Sequence, residues 1–178
     1  MRVIKLLCIL ILMSIVSISC ENETDESVVF YSKDRLTNNL PVQIKDTEGA
    51  KVSVNSNTVI SLSSSSFFKD NMIYLRELDV PKMSFKIINY NSNSSALSNV
   101  KVFLDEIQIT NELGVNFLNV TKNNIEFEIS NEQLLNTIAS KLLQKKQVVI
   151  SYYSDAVTQG QLDFDFEFSI TARGTFVD

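Results

Sequence analysis

The stretch LDFDFEFSITA, running from Leu162 to Ala172, alternates apolar and polar side chains without a break. Leu162, Phe164, Phe166, Phe168 and Ile170 occupy every second position, and Asp163, Asp165, Glu167, Ser169 and Thr171 fill the places between. Successive side chains of a strand point to opposite faces, so a period of two makes one face core and the other water. At 3.6 residues per turn a helix would scatter the phenylalanines around its circumference. The segment therefore predicts a half-buried antiparallel strand.

Upstream, the same period returns in shorter runs: Val42 and Ile44, Val52 and Val54, Val59 to Leu62, Met72 to Leu75, Phe85 to Ile88, Val100 to Leu104, Ile107 and Ile109, Val115 and Phe117, Ile125 to Ile129, and Val148 to Tyr152. Many short strands need many turns. With only four glycines, Asn and Ser supply them, since both bond locally to their own backbone and Asn also tolerates left-handed geometry. Asn91 to Ser95, Asn111 to Gly114 and Thr158 to Gly160 read as breaks, and Asn123-Asn124 as a tight hairpin.

One helix interrupts the strands. Ser130 followed by Gln133 has the spacing of a capping box, flanked by Ile129 and Leu134 at the positions of a hydrophobic staple. From Asn131 to Lys145, Leu134, Leu135, Ile138, Ala139, Leu142 and Leu143 share one face, and Lys141, Lys145 and Lys146 favour the negative end of the helix dipole. The stripe is expected to bury itself on the strand Leu162 to Ala172. The fold expected is mainly β: a two-sheet antiparallel sandwich with this one helix near the C-terminus. Met83 to Ile109 has an immunoglobulin-like look at the level of pattern. An α+β sheet with the helix on one face is the alternative.

The first twenty residues read differently. Arg2 and Lys5 precede an apolar run from Leu6 to Val16, followed by Val16-Ser17-Ile18-Ser19 before Cys20. The run is shorter than the roughly 20 residues that a spanning helix needs, and the layout is that of a secretory signal. It resembles the lipobox of bacterial lipoproteins, with Ser17 where a leucine-like residue is commoner. The resemblance implies that Met1 to Ser19 are removed and that Cys20 is acylated, tethering the rest to a membrane. After the cysteine comes ENETDE, in which Glu21, Glu23, Asp25 and Glu26 resemble the acidic export tag of surface lipoproteins of the Bacteroidota, here interrupted by Asn22 and Thr24. A polar spacer would have a similar composition. The location implied is the cell envelope, lipid-anchored at the outer membrane and exposed at the cell surface.

Residues 20 to 40 read as a polar tether closed by Asn38, Asn39 and Pro41, reaching roughly 60 Å at about 3.3 Å per residue, with a single β-rich domain from 41 to 178. Without the signal, 159 residues remain, enough for one domain with a sizeable core. The loss of Arg2 and Lys5 leaves 14 basic against 21 acidic residues, a net charge of −7. Such a balance disfavours nucleic acid, whose binding depends on cations that displace counterions. Cys8 leaves with the signal and Cys20 is committed to lipid, so no disulfide is expected.

The chain has no histidine, which removes the usual proton carrier at neutral pH and every His-based triad. Asp163, Asp165 and Glu167 share a strand face and, with Asp155, could supply oxygens to calcium. Strand spacing does not wrap an ion as a loop does, and the plainer reading is a charged solvent face. Neither a metal nor a cofactor is expected. Asp105-Glu106 reads as a turn between two strand halves, and Lys33-Asp34-Arg35 and Arg76-Glu77-Leu78-Asp79 read as ordinary surface charge. Ser61 to Ser66 reads as a low-complexity loop or a strand with a hydroxyl face, leading to Phe67-Phe68, either a contact tip or a core anchor. The function expected is non-enzymatic: a lipoprotein that binds a surface ligand or scaffolds an envelope protein. A carrier with an apolar cavity between the sheets and a hydrolase that uses carboxylates alone are the alternatives.

Overall fold

A computed structural model describes residues 27–91, 96–109 and 126–178. Eight strands are found among them: β1 Val29–Ile44, β2 Val52–Ser61, β3 Leu75–Asn91, β4 Ala96–Leu104, β5 Ile107–Gln108, β6 Glu126–Ile129, β7 Gln147–Val157 and β8 Leu162–Val177. Two helices accompany them, α1 Ser66–Asp70 and α2 Glu132–Lys145. One sheet has the order β1-β8-β3-β6 and the other β2-β7-β4-β5, and every described pairing is antiparallel.

The protein is a mainly β, two-sheet sandwich, and its strand order says which kind. First pairs with last, second with penultimate, third with sixth and fourth with fifth. Such nested pairing is one long hairpin wrapped across two sheets, the double Greek key of a jelly roll. The pattern read over Met83 to Ile109 is part of that wrap: β3 lies in one sheet, β4 and β5 in the other.

The alternation of β8 carries the core. Phe164, Phe166, Phe168 and Ile170 are at most 1% exposed. Phe85 of β3 lies 5.9 and 5.7 Å from the rings of Phe166 and Phe168, and Tyr152 of β7 reaches across to 5.4 Å from Phe166. Centroid separations of this size are those of favourable aromatic pairs. Burial pushes the Tyr152 hydroxyl up to about 12, while that hydroxyl donates a 2.8 Å bond to Ser154 Oγ.

The expected tether is corrected from Val29 onward. Residues 29 to 44 form β1, paired along its whole length with β8. Its inward positions include Ser32, Asp34 and Asn38 among Leu36, Leu40, Val42 and Ile44, so no clean alternation marks it. β1 is an edge strand, and Asn38 turns its amide to the other sheet, donating to Thr58 Oγ1 (3.1 Å) and Val59 O (2.7 Å). Pro41 is tolerated because an edge strand has a free side, and Pro81 lies where the β3–β8 register slips between Asp79 and Lys82. Two further irregularities carry asparagines at positive φ, Asn89 (56°) in β3 and Asn99 (53°) in β4.

Helix α2 forms as expected, with two corrections. Its cap is Asn131, whose side chain accepts from Leu134 N at 2.9 Å, rather than Ser130. Leu134, Leu135, Ile138, Ala139 and Leu142 are buried, but the helix rests chiefly on β3 and β7, bridging the two sheets instead of lying along β8. β8 is sealed by strands on both sides and its apolar face already meets β7 side chains, leaving the gap between sheets as the vacant apolar surface. The serine run is neither loop nor strand: Ser61 caps a 3-10 turn over Leu62–Ser64 and Ser65 caps α1. Phe68 is fully buried and Phe67 half-buried, which makes the pair a core anchor. The Asn111 to Gly114 break, the Asn123-Asn124 hairpin and the Val115 to Phe117 run lie outside the described residues.

Candidate binding cleft

On the outer face of the β1-β8-β3 sheet, at the end where β1 begins and β8 finishes, a cleft of about 500 Å³ opens to solvent. Its walls come from three distant segments: Tyr31, Ser32 and Lys33 of β1, Glu77, Leu78 and Asp79 of β3, and Arg173, Gly174 and Thr175 of β8. Register explains the meeting, since Tyr31 and Glu77 both pair with Thr175, and Lys33 and Asp79 both pair with Arg173. The slips in β3 on either side of Glu77 to Asp79 bend that strand away from a flat sheet.

Gly174 is what permits the close packing beneath. A Cβ there would stand 2.6 Å from the Phe176 ring and 2.9 Å from that of Phe68. Under the cleft floor Phe176 stacks on Phe30 at 5.1 Å and meets Phe67 and Phe68 at 5.3 and 5.6 Å. The floor is therefore rigid and apolar below, polar above.

Chemically the cleft offers an aromatic wall, two cations and two carboxylates. Tyr31 is 77% exposed. Arg173 Nη1 lies 3.9 Å from Asp79 Oδ2 with both side chains more than half exposed, a pair worth about 0–1 kcal/mol. These charges are thus available to a ligand at small cost. Neither a histidine nor a cysteine lines the cleft, so it holds no such base or nucleophile.

The carboxylates singled out in the sequence each engage a partner of their own. Asp163 Oδ2 accepts from Gln161 Nε2 (2.7 Å), Asp165 Oδ2 from Asn89 Nδ2 (2.7 Å), and Glu167 pairs with Lys86 (2.8 Å). Asp155, considered as a fourth ligand, belongs to the other sheet, where Lys51 binds it at 2.9 Å. Among the described residues no three metal-ligating side chains stand together. Nor is any described helix long and apolar enough to cross a membrane. Cys20, Glu21, Glu23, Asp25 and Glu26 lie outside the described residues.

Among the described residues, three carboxyls are held below their usual range. The Ser84 hydroxyl does so for Glu126, with Lys82 and Arg35 adding to it against a smaller cost of burial. The Lys51 ammonium and the Asn99 amide do so for Asp155. For Asp105 burial works the other way, but the Val149 N–H (2.9 Å) and the Lys141 ammonium (3.0 Å) outweigh it. Asp105-Glu106 is the turn between β4 and β5, as expected.

The cleft leaves little trace in the sequence because its parts are commonplace there. Lys33 sat in the supposed tether, and Glu77 to Asp79 in a run of mixed charge. The only signal was Tyr31, an aromatic in an otherwise polar stretch.

No protein-family model and no curated protein matches the chain. Among solved structures, it is similar to the decameric BFDV capsid protein, at 10% identity and a TM-score of 0.46, covering 82% of this chain and 99% of that one. It is also similar to a chain of Desmodium yellow mottle tymovirus, at 10% identity and a TM-score of 0.29, covering 85% and 89%. The jelly-roll assignment rests on the strand order, and neither likeness bears on what this chain does.

Proposed function

We propose that this chain is a non-enzymatic binding domain, held at the outer membrane surface by acyl chains on Cys20, and that the cleft over β1, β8 and β3 is where it binds. The observation that carries the reading is the cleft itself: an exposed tyrosine beside loosely paired cations and carboxylates, on a floor stiffened by four phenylalanines. Such a surface suits a polar partner of the envelope or cell surface that presents hydroxyls together with charge. The acidic residues 21 to 26 serve in this reading as the export tag.

Two observations favour binding over the rival readings. A hydrolase working through carboxylates needs one acid held protonated, whereas among the described residues the displaced carboxyls, Asp105, Glu126 and Asp155, are all displaced toward the charged form. A carrier needs room between the sheets, whereas β8 fills that space with rings packed on Phe85 and Tyr152.

The test is photo-crosslinking on intact cells from a probe placed at Thr175, in the parent and in a Tyr31→Ala, Arg173→Glu double variant. Loss of an aromatic anchor and reversal of a charge should weaken a specific partner at least tenfold, about 1.4 kcal/mol, with the melting temperature little changed. An undiminished crosslink in the double variant would move the binding site elsewhere.

A further inference from the structure

The end of the sandwich at which the described chain begins carries the three most exposed large aliphatic side chains among the described residues. Val28 is 62% exposed, Val29 47% and Ile73 74%. They are neighbours in space as well as in kind: Asp178 N donates to Val28 O (3.1 Å), Val177 N donates to Tyr74 O (2.9 Å), and Val29 pairs with Val177. Behind this rim lie the rings of Phe30, Phe67 and Phe176. A soluble surface seldom gathers exposed aliphatic side chains over an aromatic cluster unless something covers them.

We infer that this end rests on the membrane to which Cys20 is tethered, with Val28, Val29 and Ile73 pressed into the interface of a zwitterionic phospholipid leaflet. The inference rests on the lipoprotein reading above. Its second support is chain length: only six residues lie between Cys20 and Ser27, so even a fully extended link of seven steps spans at most roughly 25 Å. A domain about 50 Å long, as the sixteen residues of β8 make it, cannot stand upright on its far end on so short a link. The apolar rim is the part of the surface that the anchor keeps beside the lipid. Arg76, exposed and bonded through Nη1 to Ile73 O (3.3 Å), stands level with phosphates, while Asp70 and Asp178 nearby disfavour an anionic leaflet. The cleft, with Tyr31 two residues along β1, then opens just above the headgroups.

The chain contains no tryptophan, so an introduced one is a unique reporter. Full-length lipidated protein carrying Ile73→Trp would be reconstituted in phosphatidylcholine vesicles containing brominated acyl chains, beside Tyr153→Trp, a half-exposed site on the other sheet. Acyl label on Cys20 would be read on the same preparations. Expected is emission at shorter wavelength and strong quenching for Ile73→Trp, from insertion to about 5–10 Å, with neither for Tyr153→Trp. Short-wavelength emission without quenching means that protein, not lipid, covers the rim, and overturns the inference. Long-wavelength, unquenched emission with Cys20 labelled overturns it and leaves the anchor standing. Absence of label removes the anchor, and the inference with it.

Discussion

The two ends of the sandwich are closed by opposite means. At the far end, where β1 turns into β2 and β7 into β8, Thr158 is fully buried and tied to its neighbours by hydrogen bonds: its Oγ1 donates to Lys45 O (2.9 Å) and accepts from Thr47 N (3.1 Å), and its N–H donates to Thr47 Oγ1 (2.8 Å). The residues around it, Asp46, Glu48 and Gly49, are exposed. At the near end Phe30, Phe67, Phe68 and Phe176 make the closure by packing, and valines and an isoleucine remain uncovered. A hydrogen-bonded end is complete in water; an apolar end with an exposed rim is complete only against a second surface. The difference fits the proposed contact of the apolar end with a membrane, and the cleft lies beside that end.

Phe176→Ala should have the largest effect, because it empties the centre of the aromatic cluster: about 3–5 kcal/mol, read as a fall in the denaturant midpoint of the soluble domain. A cost under 1 kcal/mol would mean that the near end is held by something other than these rings.

Asp105→Asn comes next. Its carboxylate joins the β4–β5 turn to β7 and to α2 through Val149 and Lys141, and asparagine tolerates the positive φ of 50° at that position. The substitution should cost about 1–3 kcal/mol at pH 7. The sign follows from the lowered carboxyl: the stabilisation is complete above the ordinary value of 3.8 and lost as pH falls through the folded-state value below it. Melting curves of parent and variant should therefore converge in acid, and a gap constant down to the lowest pH at which the parent still folds would contradict the assignment.

Thr158→Val keeps the shape of the far end and removes only the hydroxyl. Lys45 O and Thr47 N lie near solvent and can find water, so about 1 kcal/mol is expected, again from the denaturant midpoint. If this variant proved as damaging as Phe176→Ala, the two ends would be equivalent in strength and the contrast between them would fail.

The parts legible in the sequence were those in which local pattern and tertiary role agree. β8 could be read because both of its faces are uniform, and α2 because its stripe meets the core. β1 was hidden for the opposite reason: inward positions 32, 34 and 38 are polar, and Asn38 bonds to the opposite sheet instead of filling a core. The cap of α2 slipped by one residue because Ser130 and Asn131 are both good caps, and packing of Leu134, Ile138 and Leu142 chose between them. Strand order was out of reach, since β1 and β8 meet across more than a hundred residues of intervening chain. The cleft was invisible for the same reason, being three ordinary triplets that only the pairing of β1, β8 and β3 brings together.

In the proposed reading, Cys20 is the point of attachment that sets which end meets the membrane. Metabolic labelling with an alkynyl fatty acid, followed by separation of membrane from soluble fractions, tests it directly in the parent and in Cys20→Ser. The expected result is labelled, shortened protein in the membrane fraction for the parent, and unlabelled, full-length precursor for the variant. Equal labelling of the two, or a parent that is cleaved yet carries no lipid, would contradict it.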